Sequence, residues 1–271
     1  HMVKLPKKAL IGIIAVVIVV IACVSVFLLT RPSELYELSL NYEPGETYVY
    51  DMVHTTETAG QKIETAMKVK LEILGVKADE IAMRCDLSMQ APQISQPITM
   101  VWIQTLTNKG EMKSWKMENV KPPEFREAME QTVEQMLEQQ NIGEAFPSKP
   151  LPIGGEWTTP IEYELKLPEF QLTLTGKSEN KLEGKERIEV HAGEFDCIKL
   201  THEMHTVGEG LIGNEQTITV EMFGNTTSWI DRESGATIKS ESHTEEDMEI
   251  GTALTMKVLI DSEMELIKCT P

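Results

Sequence analysis

The sequence predicts a mainly β protein: a large curved antiparallel sheet, a half-barrel made from two repeated meander units, with one amphipathic helix and an N-terminal transmembrane helix. Three observations predict it. Apolar and polar residues alternate with period two through most of the chain after residue 45. One stretch switches to a helical period. A 22-residue uncharged run, Ala9 to Thr30, stands near the start of the chain.

That run is dominated by Ile, Val, Ala and Leu. As a helix rising 1.5 Å per residue it is about 33 Å long, enough to cross a hydrocarbon core of about 30 Å. Lys4, Lys7 and Lys8 precede it, whereas Arg31 is followed closely by Glu34 and Glu37. The positive-inside rule makes residues 1–8 a cytoplasmic tail, 9–30 the anchor and 31–271 an extracytoplasmic domain at the cell membrane. A cleaved signal would need a shorter apolar core and a small-residue cleavage site. Val20-Ile21-Ala22-Cys23 has the form of a lipidation box, so lipidated Cys23 stays open as an alternative. Against it, Val-Ser-Val-Phe-Leu-Leu follows Cys23, where a lipidated Cys would open a polar tether.

Charge excludes one class of partner. The chain carries 25 basic and 43 acidic residues, and without the three lysines of the tail the outer part is near −21. Such a field repels phosphate backbones, so no nucleic-acid partner is expected. Cys85, Cys197 and Cys269 lie in the outer domain; three thiols allow at most one disulfide, and the pairing stays open. Cys85 and Cys197 fall in apolar strand patterns and read as buried small hydrophobes.

Ile63, Thr65, Met67, Val69, Leu71 and Ile73 share one face of a strand, with Glu64, Lys68, Lys70 and Glu72 on the other. After a turn at Lys77-Ala78-Asp79, Ile81, Met83, Cys85, Leu87 and Met89 repeat the arrangement. Further strands are expected over Tyr48–Thr56, Ile98–Thr105, Glu111–Met117, Ile161–Leu167, Phe170–Lys177, Ile188–His191, Cys197–Thr206, Thr217–Phe223, Ser228–Asp231, Thr237–His243 and Leu254–Glu265. One face of such a sheet is wet. Phe125, Met129, Val133, Met136 and Leu137 instead mark the apolar stripe of a helix over about 124–141, opened by Pro123 and ended by Gly143.

An internal likeness runs through the strands. Val76 to Met83 resembles Val190 to Cys197; Gly45-Glu46 matches Gly155-Glu156; Trp102-Ile103 with Lys109-Gly110 matches Trp229-Ile230 with Ser234-Gly235. The matches keep their order, which suggests two meander units, about 45–117 and 155–247. Gly110 and Gly235 each follow a Trp-led strand where a hairpin calls for positive φ.

Phe146-Pro147, then Pro150 to Trp157, resembles the "FP…P…vGxxW" signature of uncharacterised envelope proteins of bacteria and archaea. Ala192 to Cys197, followed by Trp229-Ile230-Asp231 and Gly235, is similar to their "aGxFxc … WxDxxxG" signature. These proteins resemble the LolA/LppX type of lipid carrier. The resemblance, over about residues 45–265, implies a half-barrel closed by helices over an apolar cavity, and a lipid as partner.

The residues hold no catalytic pattern, and an enzyme is not expected. No Gly-x-Ser-x-Gly elbow and no phosphate-binding glycine loop occur. His202 and His205 are three apart on a strand, which sends them to opposite faces and away from a shared metal; no metal or cofactor is expected. Asn225-Thr226-Thr227 is a glycosylation sequon, read as a turn. Methionine gives the positive hint, because its flexible side chain suits surfaces that take varied apolar partners. The expected ligand lining is Met67, Val69, Leu71, Met83, Leu87, Met89, Met129, Val133, Met136 and Met256. Two functions are therefore expected in order: a membrane-anchored binding protein for a lipid or other apolar ligand, or a structural and protein-interaction module of the envelope without one. The sequence does not identify a protein partner.

Overall fold

The computed structural model describes residues 35–90, 92, 96–123, 126, 130, 146–167, 170–212, 216–251 and 254–270. Its strands are β1 (Leu35–Tyr36), β2 (Thr47–Thr58), β3 (Gln61–Lys77), β4 (Glu80–Gln90), β5 (Ile98–Thr107), β6 (Met112–Lys121) and β7 (Leu151–Pro152). They continue with β8 (Glu156–Leu167), β9 (Phe170–Val190), β10 (Gly193–Ile212), β11 (Gln216–Asp231), β12 (Thr237–Ile250) and β13 (Leu254–Thr270). Eleven of them form a single sheet in the order β6-β5-β4-β3-β2-β13-β12-β11-β10-β9-β8, while β1 and β7 make a separate small ladder. Residues 36–271 are one compact unit.

Every neighbouring pair in the large sheet is antiparallel. Strands β2 to β6 make one up-and-down run and β8 to β12 another. β13 pairs with both β12 and β2, so the two runs join into one continuous sheet. The matched sequences fall at the β3–β4 and β9–β10 turns, one residue out of step: Val76 pairs with Ile81, whereas its counterpart Val190 pairs with Gly193.

The sheet is curved and does not close. A strap of extended chain at residues 36–46 shows how tightly one end curls. Leu40 N–H donates to Asn108 O and Asn41 N–H to Ser234 O, each at 2.7 Å. Consecutive amides lie no more than about 4 Å apart, so these two carbonyl oxygens are within about 9 Å of each other. They belong to the β5–β6 and β11–β12 turns, which in a flat sheet would be six strand spacings, roughly 29 Å, apart. Bulges sit at this end, which we call the base: at Ile73/Gly75, Lys199/Leu200, Trp229/Ile230 and Leu266/Lys268, among others. Each adds one unpaired residue and bends its strand.

The core gathers at the base. Tyr48, Tyr50, Ile73, Ile81, Met83, Cys85, Cys197, Ile238 and Leu266 form one buried cluster; Tyr36, Leu38, Phe146, Leu182, Ile198, Leu200 and Ile230 form the other, and Leu40 of the strap packs against both. Turn chemistry follows the sequence reading, with Gly110 at φ 85° and Gly235 at φ 74°. At Gly235 a Cβ would lie 2.0 Å from Ser39 O, so the strap passes directly over the turn.

Three expectations are corrected. The strands read as Phe170–Lys177 and Ile188–His191 are the two ends of one strand, β9, and those read as Thr217–Phe223 and Ser228–Asp231 are both part of β11. The sequon Asn225-Thr226-Thr227 therefore lies within a strand and not in a turn. Asn225 stands opposite Glu203 and His243 with its side chain exposed, and pairing on both sides of β11 overrides the local turn preference. Two of the outer cysteines, Cys85 and Cys197, are buried and Cys269 is exposed; all three are free thiols.

The helix expected over 124–141 lies outside the described residues apart from Arg126 and Glu130, which pair at 2.8 Å one helical turn apart. The span 9–30 also lies outside them. Among the described residues no helix is long and apolar enough to cross a membrane.

Candidate functional site: the concave face

Paired residues in a ladder project to the same side, and successive residues alternate. Strand register therefore assigns every side chain to a face. The strap marks one face as concave: its Tyr42 packs against Tyr48, ring centroids 5.1 Å apart. Tyr48 shares that face with Tyr50, Met52 and His54 on β2, and with Leu71, Val69 and Met67 opposite them on β3.

Of fifteen methionines, Met2, Met129 and Met136 lie outside the described residues. The other twelve, on nine strands, all project to the concave face. Four of them form a row on adjacent strands, Met264 opposite Met52, Met52 opposite Met67 and Met67 opposite Met89. Each is only partly buried, so the row is a surface and not a filled core. From the base bulges outward, the described positions on this face hold no Lys or Arg, and Glu246 is their one charged residue.

The opposite face is built from the alternate residues and is strongly charged. Cross-strand pairs there include Lys257 with Glu245 at 2.6 Å and Lys68 with Asp51 at 3.5 Å. His202 and His205 separate as alternation requires. His202 is half-buried on the concave side with Nδ1 2.6 Å from Asn180 Oδ1, and His205 is exposed on the other, stacked on Phe223 and 3.0 Å from Glu221. Shallow depressions of about 380 and 430 Å³ are lined mainly by polar residues, among them Asn180, Lys181 and Glu203 in one and Ser242, His243 and Asp261 in the other.

The expected lining residues divide. Met67, Val69, Leu87, Met89 and Met256 are partly buried on the concave face. Leu71 stands beside the base cluster, and Met83, 2% exposed, is inside it, where a ligand has no access. Met129, Val133 and Met136 lie outside the described residues. Met52, Met264 and Met100 were missing from the expected set although they complete the surface. The available signal was the shared parity of methionines within each strand.

Burial tunes the titratable groups on this face. It holds the imidazoles of His54 and His202 below the ordinary histidine range and raises the Glu246 carboxyl. It also pushes the Cys85 and Cys197 thiols up to about 12, leaving them unreactive at neutral pH.

No protein-family model matches the chain. No curated protein matches it. Three solved structures are similar in fold. An inferred exported protein with a YmcC-like fold from Bacteroides fragilis is 9% identical, with 86% of this chain and 99% of that one covered and a TM-score of 0.35. An inferred lipoprotein from Parabacteroides distasonis is 13% identical, with 86% and 100% covered and a TM-score of 0.36. The hypothetical lipoprotein YmcC from Escherichia coli is 13% identical, with 84% and 86% covered and a TM-score of 0.30. Likeness at this level says nothing about activity.

Proposed function

We propose that the chain is a membrane-anchored, non-enzymatic binding protein that holds a lipid or other apolar ligand against the concave face of its sheet, outside the cytoplasm. The observation that supports this most is the placing of all twelve described methionines on one face. Random placement would scatter them over both. Flexible thioethers on a curved floor can repack around chains of different length and saturation. The tether belongs to the same reading: the 9–30 span holds the domain at the surface from which a lipid would come.

The second reading is an envelope module that works through protein contacts. It is favoured by the two edge strands, β6 and β8, which among the described residues pair on one side only, leaving an edge that a partner strand can join. Native mass spectrometry of residues 31–271, purified without detergent from a membrane-containing host, separates the two. A reproducible extra mass that extracts into organic solvent supports the lipid reading. A clean apo mass, with no uptake of added lipid, rejects it in favour of the module.

A further inference from the structure

We infer that the ligand's polar part is uncharged and rich in hydroxyls, as in a neutral glycolipid, and that it seats on a polar band crossing the concave face. This deepens the lipid-binding reading and rests on it. The band is one row of the sheet. Asn180, His202, Thr226, Ser242, Ser262 and His54 stand opposite one another in turn across six consecutive strands, β9 to β2. On β13 and β2 it lies next to the methionine row, two residues or about 7 Å further along the strands. An acyl chain on the methionines would thus deliver its head group to the band.

The band's chemistry selects the head group. Its hydroxyls, amide and neutral imidazoles both donate and accept hydrogen bonds, as sugar hydroxyls do. His202 is tied through Nδ1 to Asn180 and His54 through Nδ1 to Ser262, which leaves each ring's Nε2 without a partner among the described residues. A phosphate head would meet no Lys or Arg at the described positions of this face from the base bulges outward, and would leave a partly buried charge unpaired, a costly arrangement.

One further group lies in the row of Thr206 and Met222, about 13 Å from the band. Glu246 follows Met222 in that row, and a carboxyl there accepts from hydroxyls but repels phosphate. At the band's far end, the indole of Trp157 meets the His202 ring edge-on at 6.3 Å, and its buried Nε1 has no partner among the described residues.

The test uses the full chain in a zwitterionic amine-oxide detergent. It is given equal amounts of a monoglycosyl diacylglycerol and a phosphatidylglycerol with the same acyl chains, and bound mass is read by native mass spectrometry. The expected result is retention of the glycolipid over the phospholipid by about tenfold. In T226V/S262A, which removes two hydroxyls of the band and keeps the floor apolar, the ratio should fall to near unity with total bound lipid unchanged; S262A alone is read the same way if the double variant does not fold. Equal retention of both lipids by the wild type, or preference for the phospholipid, overturns the head-group inference and leaves lipid binding standing. Retention of neither overturns both. An unchanged preference in the variant, or loss of both lipids from it, also rejects the band as the seat.

Discussion

Met264 stands directly opposite Met52, on the two strands that join the β2–β6 and β8–β12 runs. The apolar row thus crosses the seam of the sheet without a break, and Met52 extends it to Met67 and Met89. A ligand seated there would touch β13 and the β2–β6 run at once.

Truncating the middle of this row should weaken lipid retention more than folding. Met52→Ser with Met67→Ser removes two half-buried thioethers, each contributing about 1 kcal/mol to a bound chain. Retained lipid affinity should fall about 30-fold, while thermal unfolding stays close to wild type because the base cluster is untouched. Equal losses in affinity and stability would place these side chains in the core instead.

Gly235→Ala should destabilise the fold by about 1–3 kcal/mol, the range for a strained residue at positive φ. Both its φ of 74° and the Ser39 carbonyl 2.0 Å from any Cβ oppose a side chain. The loss is read from the urea midpoint. A neutral substitution would mean that the strap does not fix the curl of the base.

Acid should weaken the fold through His54 and His202. Burial lowers both pKa values in the folded state, so below about pH 6.5 the unfolded chain binds protons that the folded chain does not. Stability then drops as pH falls through that window. Exposed His243 works in the opposite direction, because its hydrogen bond to Asp261 raises its pKa, but solvent screens it. His202→Gln should flatten the acid limb of a plot of melting temperature against pH.

Glu246→Gln should raise the melting temperature at neutral pH. Desolvation raises the carboxyl's folded pKa, so stability is lost as pH rises from the ordinary carboxylate value through the raised one. Below both values the carboxyl is neutral in either state, and the variant and wild type should melt alike. A melting temperature lowered at neutral pH would show that the carboxylate has a partner.

Most of the architecture was legible in the residues. Alternation at Ile63–Ile73 and Ile81–Met89 marks β3 and β4 because one face is apolar and the other charged. The signal failed where the concave face itself turns polar. At Ser178 and Asn180 of β9, and at Gly224 and Thr226 of β11, both faces are polar, so the strands looked interrupted. The band proposed as the head-group seat is thus the feature that concealed two strands. The bulges and the crossing of the strap were not legible, since both depend on contacts between residues far apart in sequence, such as Asn41 with Ser234.

The central claim is that a lipid chain lies on the concave face, and photolabelling tests it most directly. A monoacylglycerol carrying a diazirine near its tail would be bound by the full chain, irradiated, and its adducts mapped by peptide sequencing. The account predicts adducts at concave positions such as Met52, Met67, Met89 and Val258, lost on competition with unlabelled lipid. Adducts confined to outer-face residues such as Val53, Val207 and Phe223, or unaffected by competition, would contradict it.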